Sequence, residues 1–183
     1  MIEHWTKRLI AIALAAVTLG SGPVQARVGE SVAAFEAGPM VKSGEVAFLE
    51  PFSLRNNKLR GVTYRATDAY QKACQIMLVV KGGVITSEIF AMPVIEDRDV
   101  IKAEKTLLDS FLEQSGIPKN LHSQVREQLL GASDRPVAPR QLGGYSVQYL
   151  LIPAEIPLLV LAVAKDETAL PLPKPTIQPQ IQE

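Results

Sequence analysis

The chain has 183 residues, 19 basic and 19 acidic side chains, 47% hydrophobic and 5% aromatic residues, and a single cysteine. That length and apolar share suit one globular domain with a buried core and exclude a wholly disordered chain. Zero formal charge, with Lys and Arg scattered singly, excludes the basic stripe that phosphate neutralisation needs, so no nucleic-acid partner is expected.

Lys7 and Arg8 precede Leu9 to Leu19, where Thr18 is the only polar residue, and Gly20 to Pro23 break the run before Val24-Gln25-Ala26. This is the three-part layout of a secretory signal peptide over 1–26, cleaved after Ala26. The eleven-residue apolar run falls short of the roughly twenty that span a hydrocarbon core, so no transmembrane anchor is expected after processing. The expected location is extracytoplasmic, periplasmic or secreted. Processing would remove His4 and Trp5 and leave His122 as the lone histidine, with 17 basic against 18 acidic side chains. Cys74 has no disulfide partner within the chain, so packing must supply stability.

The mature chain reads as one domain over 27–168. Gly29 to Ala37 predicts a short helix with Val32, Ala33 and Phe35 on its apolar stripe and Gly38-Pro39 as a stop. Its length makes it dependent on packing. Val46 to Leu54 and Leu59 to Thr67 then predict two strands around Asn56-Asn57; in the second, Val62, Tyr64 and Ala66 alternate with Thr63, Arg65 and Thr67.

Cys74 to Val80, Lys81-Gly82-Gly83-Val84 and Ile85 to Met92 predict a tight hairpin, because two glycines supply the positive backbone angles of a two-residue loop. A strict period of two from that loop sets Val80 against Ile85, Leu78 against Ser87, Ile76 against Ile89 and Cys74 against Ala91 on one apolar face. Cys74 is then expected in the core. Met77, Val79, Val84 and Phe90 belong to the residues outside that set and are the candidate binding residues on an uncovered sheet face.

From Asp99 to Ser115, Val100, Leu107, Leu108, Phe111 and Leu112 recur at helical spacing, with Asp97 or Asp99 as cap and Gly116 as terminator. A second helix is expected from Pro118 to Leu130, where Leu121, Val125 and Leu129 lie four apart. Ser133 to Arg140 reads as loop. Tyr145 to Ile152 alternates as a strand, and the continuous apolar run Leu158 to Ala164 suits a strand buried on both faces. The residues 169–183, with Pro171, Pro173, Pro175 and Pro179, predict a Pro-rich disordered tail. The expected fold is α+β: an antiparallel sheet of about five to six strands, two consecutive helices on one face, and a short N-terminal helix.

The inventory for catalysis is thin. One histidine and one buried cysteine do not make a zinc or transition-metal site, and no cofactor is expected. Glu96, Asp97 and Asp99 suit a helix N-terminus and lack the spacing and turn glycine of a calcium loop. His122 and Ser123 diverge by about a hundred degrees around a helix axis, so they make a poor nucleophile and base; His122 reads as a surface residue. Lys81-Gly82-Gly83 has no following helix to complete a phosphate loop. Paired carboxylates drawn from Glu88, Glu96, Asp97 and Asp99 would be needed for a small hydrolase. The leading expectation is therefore a non-enzymatic extracytoplasmic binding module for a protein partner or a small apolar ligand. The hydrolase and a structural envelope component are the alternatives, and nothing in the sequence selects an oligomeric state.

Overall fold

The structure, a computed structural model, describes residues 28–54, 59–67, 74–95, 98–135 and 137–171. The expected signal segment, Glu96, Asp97 and the tail beyond Pro171 lie outside the described residues. The strands are β1 (Val46–Leu54), β2 (Leu59–Ala66), β3 (Gln75–Lys81), β4 (Val84–Pro93), β5 (Arg140–Leu142), β6 (Tyr145–Ile152) and β7 (Leu158–Ala164). They form one antiparallel sheet in the order β1-β2-β3-β4-β7-β6-β5. The helices are α1 (Val32–Glu36), α2 (Pro39–Lys42), α3 (Arg98–Gln114) and α4 (His122–Leu130), the last preceded by a 3-10 turn over Lys119–Leu121. The class is α+β.

Seven strands replace the five to six expected, and β5, within and beyond the segment read as loop, is one that the sequence reading missed. Gly143 and Gly144, at φ 59° and 85°, repeat the backbone of Gly82 and Gly83 at 61° and 81°, and so close a second tight hairpin that pairs Leu142 with Tyr145. Gly38-Pro39 both ends α1 and opens α2, because proline fits a first turn that needs no amide donor.

The β3–β4 register corrects the expected one. Lys81 pairs with Val84 and Val80 with Ile85 as the loop dictates, but the next pair is Val79 with Ser87, leaving Thr86 as a bulge. Thr86 Oγ1 donates to the Val79 carbonyl at 3.3 Å and steadies it. Beyond the bulge every β4 side chain changes face. Leu78 therefore opposes Glu88 and Ile76 opposes Phe90, not Ser87 and Ile89.

Two apolar clusters lie on the two faces. The larger joins Ile76, Leu78, Phe90, Leu161 and Val163 of the sheet to Leu107, Leu108, Phe111 and Leu112 of α3 and to Val125 and Leu129 of α4. Phe90 and Phe111 rings meet at 5.3 Å. This cluster also takes Phe35 of α1, whose ring lies 4.8 Å from Tyr64, while the Tyr64 hydroxyl donates to Glu36 Oε1 at 2.8 Å. Five-residue α1 is thus held by its packing, as so short a helix must be. The smaller cluster holds Val79, Ile89, Ala91, Leu150, Val160, Ala162 and Ala164, with Leu170 laid against them. After β7 the chain makes a 3-10 turn over Glu167–Ala169 and returns across this face.

Gly61 of β2 is required by contact. A Cβ there would meet the Leu78 carbonyl oxygen at 1.9 Å and the Phe52 ring at 2.8 Å. Phe52, its cross-strand partner, lies over it.

Candidate functional site

β7 ends where Ala164 pairs with Ser87, so the first residues of β4 lose that neighbour. The N-terminal segment takes its place: the Gly29 amide donates to the Ile85 carbonyl at 2.8 Å, the Ile85 amide donates to the Glu30 carbonyl at 2.7 Å, and Ser31 bridges to Val84. Between this segment, the ends of β2 and β3 and the turn after β7 opens a cleft of about 600 Å³. Val28, Leu59, Val79, Val84 and Ile85 give its apolar wall, and Arg60, Lys81, Lys165 and Asp166 its charges. The Thr168 backbone amide donates to Asp166 Oδ1 at 2.9 Å and holds that carboxyl below its usual range. Three cations against one such carboxylate leave the cleft positive.

The four residues singled out in the sequence separate. Val79, 2% exposed, and Val84, 40% exposed, both line this cleft. Met77 is half-buried against the smaller cluster. Phe90 is fully buried in the helix-side core, a correction that follows from the Thr86 bulge. The face expected to lie open is substantially filled, because Ala169 and Leu170 pack on it.

Groups weighed for catalysis are placed as follows. Glu88 is buried on β4 opposite Leu78 and Val163 and does not line the cleft beside Val84. Asp99 lies within α3 and is not its cap. His122, read as a surface residue, is buried, and its Nε2 lies 2.8 Å from the Ile117 carbonyl oxygen; an N–H there satisfies the carbonyl of the tight Gly116-Ile117 turn. Ser123 beside it is exposed. Cys74 is fully buried as expected, and burial, then the nearby Glu104 carboxyl, push its thiol up to about 12. A thiol in that state is a poor nucleophile. Among the described residues, no group of three or more His, Cys, Asp or Glu side chains is placed to hold a metal ion.

Arg60, Lys165, Asp166 and Glu104 were not singled out from the sequence. For Lys165 the only signal was its position as the first charge after an apolar strand. Glu104 was legible, since it precedes Leu107, Leu108 and Phe111 at helical spacing and so falls on the apolar stripe of α3. Among the described residues no helix is long and apolar enough to cross a membrane. The chain matches no family model, and no curated protein and no solved structure matches it significantly.

Proposed function

We propose that the protein is an extracytoplasmic, non-enzymatic binding module whose ligand is a small apolar molecule with an anionic end, taken up in the cleft beside Val79 and Val84. The observation that carries this reading is an aliphatic wall combined with Arg60, Lys81 and Lys165 around about 600 Å³ of space. Apolar walls with a few convergent polar groups are the usual form of a small-molecule site. Exposed cations gain most from a ligand whose charge they meet while its hydrocarbon is buried. Export is supported by the charged, apolar and small-residue order of 1–26.

Titration with octanoate tests the site. It should bind more tightly than octanol, and Lys165→Glu or Val84→Glu should weaken it by on the order of tenfold, which is about 1.4 kcal/mol. Equal affinity for octanoate and octanol, or indifference to both substitutions, overturns the reading. Mass spectrometry of the exported chain should find Arg27 first; retention of Trp5 overturns the export claim.

A further inference from the structure

A second cleft, of about 400 Å³, lies on the helix side of the sheet between α3, α4 and the end of β4. Its walls are almost wholly apolar, with Met92, Val94, Ile101, Leu108 and Leu130 among them, and Ile101 and Leu130 keep exposed surface at its mouth. Three ionisable side chains line it, Glu104, Lys105 and Arg126, and of these Glu104 alone is buried. The Glu104 side chain is 3% exposed, and among the described residues its only polar contact is the Cys74 thiol, 4.0 Å from Oε1. Among the described residues no cation lies in ion-pair contact with it: Lys105, next along α3, also lines the cleft but is exposed to water, and Arg126 of α4 is held by Asp109 at 2.6 Å. The end of β4 and Leu159 of β7 bring only apolar side chains to the cleft.

A carboxyl group buried in an apolar wall without a counter-charge is costly to the fold, and a ligand that supplies the charge recovers that cost. An anion would add repulsion, and a neutral hydrocarbon would leave the carboxyl as it stands. We propose that this cleft binds an apolar amine, whose hydrocarbon lies between Ile101, Leu108 and Leu130 and whose ammonium group reaches the Glu104 carboxylate. The site is separate from the cleft beside Val84 and carries the opposite charge preference.

Burial holds the Glu104 carboxyl up to about 7, so the group must lose its proton to receive the cation. Amine affinity should then fall as pH drops below 7, by about tenfold per unit once the carboxyl is mostly protonated. The probe is octylamine, which stays protonated throughout, measured by calorimetry at pH 5.5 and 7.5 beside octanol. The expected result is amine binding on the order of twentyfold tighter at the higher pH, with octanol unchanged. Glu104→Gln should remove both the pH dependence and the preference for amine over alcohol. Ile101→Trp, at an exposed position, should obstruct the mouth and weaken both probes. In the unaltered protein, octylamine should shift the methyl resonances of Leu108 and Leu130 and leave those of Val79 and Val84 in place, a readout that does not depend on any variant folding. Absence of octylamine binding at pH 7.5, binding that ignores pH, or resonance shifts confined to Val79 and Val84 would each overturn the proposal.

Discussion

The two faces of the sheet are built from different sizes of side chain. The helix-covered face presents Ile76, Leu78, Phe90 and Leu161 to Leu107, Phe111 and Leu112, and these large side chains interdigitate across the layer. The other face presents Ala91, Ala162 and Ala164 together with Ser87 and Ser146, all buried, beside Val79, Ile89, Leu150 and Val160, and the return of chain after β7 lays Leu170 on it. The small side chains of Ala91, Ala162 and Ala164 leave room for this return of chain, a 3-10 turn followed by Leu170, to lie close. Among the described residues, the element laid on the second face is this return of chain and not a helix. Where β7 ends the chain turns through Lys165 to Ala169, and the cleft beside Val84 opens between that turn and the start of β4.

The largest losses are expected on the helix side. Phe111→Ala removes a buried ring that contacts Phe90 and should cost about 3–5 kcal/mol, read from urea unfolding; a cost below about 1 kcal/mol would mean that the helices do not carry the fold. The same face holds a pH effect that falls near neutrality. The Glu104 carboxyl rises from an ordinary 4.5 to about 7 on burial, so its contribution is fully present below 4.5 and is lost as pH rises through 7. Between pH 4.5 and 8 this single group should remove on the order of 3 kcal/mol of stability. Glu104→Gln should flatten that slope, as unfolding midpoints at the two pH values would show.

On the small-residue face the expected loss is lower. Leu170→Ala strips a buried leucine from the returning segment and should cost about 2 kcal/mol, the low end for a core leucine, because the segment can settle toward the alanines. The same variant should raise binding of an apolar dye, since Val79 and Ile89 lie beneath. A loss as large as that of Phe111→Ala would show that the two faces share the load.

Most elements were legible because their signals are local. Period-two runs, helical stripes and the Gly82-Gly83 turn set β2, β3, β6, β7, α3 and α4 within one or two residues at most ends. Cys74, Ile76 and Leu78 were placed in the core correctly, since their shared face depends only on β3. Phe90 was not, because one bulged residue reverses the strand and Thr86 carries no sign of it in the sequence. The clefts were less legible still. Lys165 and Leu59 line one cleft only because β7 stops short beside β4, which is a property of the pairing order. Leu170, read as the start of a proline-rich tail, packs on the sheet for the same reason: only the returning chain path gives it a surface to cover.

The smallest effect is expected at the cleft itself, and there the size of the change is the test. Val84 is 40% exposed, its backbone is paired by Lys81 and bridged by Ser31, and its methyl groups face the space that the proposed ligand would fill. Val84→Thr keeps the branched shape and strand preference while exchanging one methyl for a hydroxyl. With water already in reach of that methyl, the hydroxyl loses no solvation, and stability should change by less than about 0.5 kcal/mol. Octanoate affinity should fall by a few-fold, since the buried hydrocarbon of the ligand now meets a polar atom. A loss near 1.5 kcal/mol of stability would instead place Val84 in a filled core, and no cleft would remain there to bind anything.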